Sequence, residues 1–221
     1  HGSGVTVHEP SSEPRQHPLR VHNFRCYFIG RLAMTLAQYA MLLIIGWQTY
    51  NIARDAGMSV AQASGQLALI GLFQFLPVFV LTPFSGLAAD RFDRRRLGQA
   101  MVAVQLLCAS VLALTTFSGS ITPGVLFAVA ALLGIARCFS GPALSALAPN
   151  LVPKAILPTA IALSSIAWQA GTIAGPAIGG VLYGVAPALP YAVATALLAI
   201  TLIAFGMIGT VEQPALRKDV R

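Results

Sequence analysis

The sequence predicts an all-α integral membrane protein with six transmembrane helices, and three observations carry that expectation. The 221 residues are 56% hydrophobic and only 10% charged, against about 25% charged in soluble domains, with a mean hydropathy of +0.74. Six apolar stretches, each roughly long enough to cross a bilayer, are separated by short polar turns. The basic residues gather at the ends of these stretches rather than along them.

Composition also narrows the function classes. A net charge of +7 does not signal a nucleic-acid surface, because the arginines and lysines are not interleaved with aromatics. An anionic lipid leaflet matches their placement better. Cys26, Cys108 and Cys138 show no Cys-x-x-Cys or histidine-partnered spacing, so neither a disulfide framework nor a metal site is expected. The four histidines all precede residue 23, which excludes a histidine relay at membrane depth. No His-Glu-x-x-His, Gly-x-Ser-x-Gly or intramembrane carboxylate pair is present, so neither an enzyme nor a cofactor is expected.

Residues 1–23 hold prolines, serines and charges with little apolar content and read as a flexible tail. The first span, about 27–50, places Arg31, Thr35, Gln38 and Thr49 on one helical face. Such a stripe turns toward other helices or a water-filled cavity. Arg31 is near enough to the helix start, about 10 Å, that snorkelling to the interface is an alternative. Trp47 and Tyr50 fall at the far end, at headgroup level. The second span, about 66–88, carries Gln74 at mid-depth and is interrupted by Pro77 and Pro83, which should bend it.

The third span, about 98–118, contains Gln105 and Cys108, is otherwise uniformly apolar, and reads as lipid-facing. The fourth, about 124–147, contains Arg137; a lone arginine inside a span is a functional candidate by default, the alternative being a guanidinium bonded to carbonyls of a neighbouring broken helix. In the fifth, about 159–183, Gly171, Gly175 and Gly179 recur every four residues and form a stripe for backbone-to-backbone packing. Pro176 bends the helix inside that stripe, and Ser165, Gln169 and Thr172 lie on another face. The sixth, about 190–210, is apolar apart from Thr195 and Thr201. Residues 212–221 form a basic tail or the start of a linker.

The turn Gly86-Leu87-Ala88-Ala89-Asp90-Arg91-Phe92-Asp93-Arg94-Arg95-Arg96-Leu97 concentrates four arginines and two aspartates between two apolar runs. Such a cluster belongs at a membrane surface. Gly86 is small enough for close backbone approach, and Asp90 and Arg94 stand at i, i+4 spacing. Eleven basic residues lie on the side of this turn and of both termini, and one, Arg54, on the other. That asymmetry places both termini in the cytoplasm of a multi-pass protein of the plasma (inner) membrane.

The spacing Gly-x-x-x-Asp-Arg-x-x-Arg-Arg-Arg resembles the loop between the second and third helices of the major facilitator superfamily, with Asp93 where a glycine often stands. Arg137-x-x-x-Gly141-Pro142 resembles its fourth-helix arginine motif. Gly171-Thr172-Ile173-Ala174-Gly175-Pro176-Ala177-Ile178-Gly179-Gly180 resembles the fifth-helix motif of its exporters and antiporters, with Ala162 where an earlier glycine is usual. The resemblance, strongest to the branch of drug and siderophore exporters, implies one half of a twelve-helix bundle. The second six-helix half either continues beyond Arg221 or, less favoured, comes from a second copy.

On that resemblance the function is secondary active export of a small amphipathic molecule by alternating access. Gln38, Gln74, Arg137 and Gln169 would line the substrate cavity. Gly86, Asp90, Arg91 and Arg94 would form a cytoplasmic gate loop, and Gly171, Gly175, Pro176 and Gly179 would control packing and bending. No carboxylate lies inside any span, so a proton carrier belongs to the second half or coupling differs. The rival from another class is a membrane scaffold without transport, in which the polar stripe merely glues helices together.

Overall fold

The computed structural model describes residues 17–209. It contains six long helices: α1 (His22–Asp55), α2 (Val60–Arg91), α3 (Arg94–Phe117), α4 (Pro123–Leu147), α5 (Leu157–Val185) and α6 (Leu189–Gly206). Short 3-10 turns cover Pro18–Arg20, Ala148–Asn150 and Lys154–Ile156, and no strand occurs among the described residues. Each long helix is sufficiently long and apolar to cross a membrane.

The turns explain where the helices begin. Ser59 and Gln62 form a reciprocal capping box at α2, with Gln62 N–H donating to Ser59 Oγ (3.2 Å) and Ser59 N–H to Gln62 Oε1 (3.0 Å). Asp93 caps α3 by accepting from Arg95 N–H (3.0 Å). Thr122 caps α4 ahead of Pro123, where a missing N–H costs no helical bond. Gly57 and Gly119, at φ +85 and +71, supply the left-handed residues that reverse the chain after α1 and α3.

Helix boundaries differ from the expected spans in instructive ways. α1 continues through Asn51–Asp55, and α2 starts at Val60 rather than 66, because capped polar turns of helix extend past the apolar segments. Of the tail expected over 1–23, residues 17–23 are described and fold: Pro18 is buried and α1 starts at His22. α6 stops at Gly206, short of 210, and the chain folds back so that Gly209 N–H donates to Asn23 Oδ1 (3.0 Å). The basic segment 212–221 lies outside the described residues.

α1 packs against α5, α6 and α2, α4 packs against α2 and α3, and α3 meets α6. Exchanging α1–α3 with α4–α6 preserves the principal pairings α1–α5/α4–α2 and α1–α6/α4–α3, as an internal three-helix repeat requires. Small residues make these contacts possible. A Cβ at Gly171 would lie 2.6 Å from the Thr35 side chain, one at Gly175 2.8 Å from Leu36 O, and one at Gly179 3.1 Å from Ala40 Cβ. Gly134 of α4 meets the Gln74 carbonyl of α2 in the same manner, at 2.6 Å, and Gly30 of α1 meets the Phe205 ring, also at 2.6 Å. Pro77, Pro83 and Pro176 all sit inside unbroken helices.

α3 is not simply lipid-facing. Gly98, Val102, Gln105, Cys108, Ala109 and Leu112 form a buried face against α4 and α6, while Leu107 and Leu114 point outward. A helix that is apolar all round gives no periodic sign of the face it packs. At Gly86 a Cβ would meet nothing within 4 Å among the described residues.

The glycine seam yields a direct prediction. Gly175→Ala should destabilise the helical bundle by about 1–3 kcal/mol through overpacking, whereas Gly180→Ala, facing open space, should be near neutral. Thermal melts of the two variants in detergent measure the difference; equal melting points would contradict the seam.

Candidate functional site

Two adjoining clefts open between α1, α2, α4 and α5. The larger, about 400 Å³, lies between Tyr27 and Arg31 of α1, Ser145 at the end of α4, and Ile161, Ser164, Ser165 and Trp168 of α5. The second, about 230 Å³, is bounded by Arg31, Gln38 and Tyr39 of α1, Phe75 and Val78 of α2, and Arg137 and Ser140 of α4, with Trp168 again on its wall. Arg31 and Trp168 border both. A further small void, about 10 Å³, has Gln38, Gln74 and Arg137 around it.

The clefts exist because α1 and α4 barely touch. α1 is held to α5 by the glycine stripe, and α4 to α2 through Gly134, so the two central helices stand apart with their polar side chains between them. Thr35, on the polar face of α1, is buried with its hydroxyl donating to Arg31 O (2.7 Å). Its Cβ and methyl are what Gly171 packs against.

A relay of amides and hydroxyls joins three helices behind the clefts. Gln38 Nε2 donates to Gln105 Oε1 (2.7 Å), Gln105 Nε2 to Ser140 Oγ (3.5 Å), and Ser140 Oγ to Arg137 O (3.4 Å). Gln105 is 0% exposed; without water, each of its amide atoms requires a protein partner. Nearer the Trp47 end, Tyr191 Oη donates to Gln48 Oε1 (2.7 Å) and Gln48 Nε2 to Thr116 Oγ1 (3.1 Å), binding α6, α1 and α3. Trp47 itself is half-exposed and stacks on Tyr50 at 5.9 Å.

Arg137 is held by its surroundings on one side only. Its Nη2 donates to Gln74 O of α2 (3.4 Å), three residues before Pro77, and its guanidinium carbon lies 6.0 Å from the Phe75 ring centre. Its Nε is buried without a hydrogen-bond partner. Arg31 makes no side-chain hydrogen bond or ion pair among the described residues, and its Nη1 is likewise buried. Rather than snorkelling away, Arg31 borders both clefts.

The arginine-rich turn sits at one end of the bundle. Asp90 Oδ1 lies 3.8 Å from Arg94 Nη2, with the Asp90 side chain 73% exposed. An exposed pair at that distance contributes little stability. Arg94 also donates through Nε to Ala89 O (3.4 Å) and through Nη1 to Ala146 O (3.2 Å), and Arg95 Nη2 to Gly206 O (2.9 Å). The turn therefore braces the C-terminal carbonyls of α2, α4 and α6, where cations are favoured. Arg91 is exposed.

Of the residues expected to line a cavity, Gln38, Gln74 and Arg137 come together, Gln74 being 3% exposed. Gln169 does not join them. It lies exposed on α5, outside both clefts, one residue from Trp168. At 3.6 residues per turn, adjacent positions point about 100° apart, so the face that carries Trp168 into the clefts turns Gln169 away. Tyr39, Gln105, Ser140 and Trp168 were not expected at the site. For Gln105 a signal was present: an amide at mid-depth of an apolar span is costly toward lipid and turns inward.

Comparison with known proteins follows the same lines. The family described as transmembrane secretion effector, of the major facilitator (MFS) type, matches residues 15–215. An uncharacterized MFS-type transporter, YfiS, of Bacillus subtilis (strain 168) is 36% identical over 52% of this chain and 27% of its own length. The staphyloferrin A transporter of Staphylococcus aureus (strain NCTC 8325 / PS 47) is 28% identical over 54% of this chain and 30% of its own. Macrolide efflux protein A of Streptococcus pyogenes is 31% identical over 54% of this chain and 29% of its own. The chain thus spans less than a third of each of these relatives in the matched region. With a family match over nearly its whole length, six membrane-length helices and a polar cleft between them, the chain belongs to the major facilitator superfamily of transporters, as half of its helical bundle, and is not an enzyme.

Proposed function

We propose that the chain forms the N-terminal half of a secondary active exporter that moves a small amphipathic molecule, of drug or siderophore type, by alternating access. The observation that carries this reading is the pair of clefts between α1, α2, α4 and α5, which set Arg31, Gln38 and Arg137 into largely apolar walls. A scaffold would gain nothing from holding α1 and α4 apart. A relative named for macrolide efflux and one named for staphyloferrin A transport support this reading of export and of a small-molecule substrate.

In this reading a second six-helix half covers the exposed faces of α2 and α5. Phe79 and Phe84 of α2 and Ile173 and Val181 of α5 are more than half exposed. Gln169, exposed on α5, then faces a cavity shared with that half. The eleven-to-one distribution of basic residues sets both termini and the 90–96 turn on the cytoplasmic side of the inner membrane. Asp90, exposed at the end of α2, docks on the opposite half when the cytoplasmic side closes, while Arg94 keeps the turn fixed to α4. The six helices bring no carboxylate to the clefts, so Arg137 acts on any coupled proton through its charge and not by titrating.

Two outcomes test this. A cysteine introduced as Gln38→Cys in a background without Cys26, Cys108 and Cys138 should react with membrane-impermeant thiol reagents and be protected by substrate; an inert residue 38 would favour the scaffold. Asp90→Asn in the full-length protein should lower export about fivefold or more, the effect of losing about 1 kcal/mol, with membrane insertion unchanged. Undiminished export would remove Asp90 from the gate.

A further inference from the structure

The charge balance of the clefts is one-sided. Arg31 and Arg137 both border the second cleft, and neither cleft has an aspartate or glutamate on its walls. The carboxylates among the described residues are Asp55, Asp90 and Asp93, all at helix ends. Each arginine keeps a buried nitrogen without a hydrogen-bond partner, Nη1 of Arg31 and Nε of Arg137. Ser164 Oγ is also buried, beside the Tyr27 hydroxyl. A guanidinium removed from water without a counter-charge is costly, and the cost is recovered when an anion arrives with good geometry.

We propose that these clefts bind the anionic group of an amphipathic ligand, a carboxylate being the simplest case. Arg31 is the anchoring charge, and Ser164 is a neutral donor beside it. The aromatic and apolar body of the ligand lies on Trp168, Tyr27 and Ile161, and its far end extends toward Phe75 and Arg137. Trp168, on the wall of both clefts, offers a face for stacking without a charge requirement. Arg137, already held by Gln74 O and Phe75, raises the positive potential of the cleft without being the primary contact. This deepens the transport reading above and rests on it for the claim that the ligand is a substrate, while the binding chemistry stands on the side chains alone. An anionic lipid headgroup would satisfy the same donors, and the test separates the two sources.

The full protein is placed in nanodiscs of zwitterionic lipid, with Trp47, the other tryptophan of these 221 residues, and every tryptophan of the second half replaced by phenylalanine, so that Trp168 alone emits. Trp168 emission is followed on titration with para-tert-butylbenzoate, para-tert-butylbenzylamine and para-tert-butylbenzyl alcohol, which share a body and differ in head charge. The benzoate should bind about tenfold or more tightly than the amine or the alcohol. Arg31→Gln should abolish that preference, Arg31→Lys should retain part of it, and Arg137→Gln should weaken benzoate less than Arg31→Gln does, with helix content unchanged by circular dichroism. Equal affinity for benzoate and amine, or benzoate affinity untouched by Arg31→Gln, overturns the proposal. In nanodiscs containing phosphatidylglycerol, a Trp168 change that needs no benzoate and vanishes in Arg31→Gln assigns the anion to a lipid headgroup; its absence, with benzoate binding retained, assigns it to a soluble amphiphile. Charge-selective binding without export would defeat the exporter reading alone, and export with charge-indifferent binding would defeat only the anion site.

Discussion

The backbone contact between α1 and α5 sets the positions of the other site elements. Gly171, Gly175 and Gly179 replace side chains with open surface along one stripe, and Thr35, Leu36 and Ala40 of α1 fill it, at distances no Cβ would tolerate at Gly171 and Gly175 and at a tight 3.1 Å at Gly179. In lipid, where tails are as apolar as leucine, helices associate through such close packing and not through the exclusion of water. The consequence reaches the site. With α1 committed to α5 and α4 committed to α2 through Gly134, the polar faces of α1 and α4 are left opposite one another across a gap.

Polar groups of the interior are paired beside that gap and again nearer the Trp47 end, between α1, α3 and α6. A bilayer core offers no hydrogen-bond partners, so each amide and hydroxyl at depth needs one within the protein. The Gln38–Gln105–Ser140 relay and the Tyr191–Gln48–Thr116 relay provide them. Hydroxyls elsewhere turn back on their own helices, as Thr35 and Thr49 do. The arginines follow two solutions. Arg94 and Arg95 of the 91–96 turn lie at the bundle end and brace helix carbonyls, and the two at depth face the clefts with nitrogens still unmatched. The first set fixes geometry, and the second leaves a chemical demand.

The six helices and the glycine stripe were legible from hydropathy and spacing, because each rests on one helix and its period, whereas the grouping of Gln38, Gln74 and Arg137 came from the resemblance to the major facilitator superfamily. What escaped depends on pairs of helices. Gln105 looked incidental on an apolar helix, since only the approach of α1 and α4 gives its amide partners on both sides. Arg31 had two equal readings until the contact of α1 with α5 opened a cleft beside it. Trp168 carried no sign at all, for an aromatic in an apolar span looks the same against lipid or against a cavity. Gln169 shared a face with Ser165 and Thr172 in the sequence, but only Ser165 of the three reaches a cleft.

The seam between α1 and α5 is open to a single decisive measurement. A Cβ at position 179 would stand 3.1 Å from the Cβ of Ala40, close to the separation of about 3.8 Å found across disulfides. With the native cysteines replaced, the pair Ala40→Cys/Gly179→Cys should cross-link readily under mild oxidation, whereas Ala40→Cys/Gly180→Cys, whose second position faces open space, should not. Cross-linking at 179 alone is the result this arrangement of helices predicts; no cross-link at 179, or equal cross-linking at 180, would contradict it.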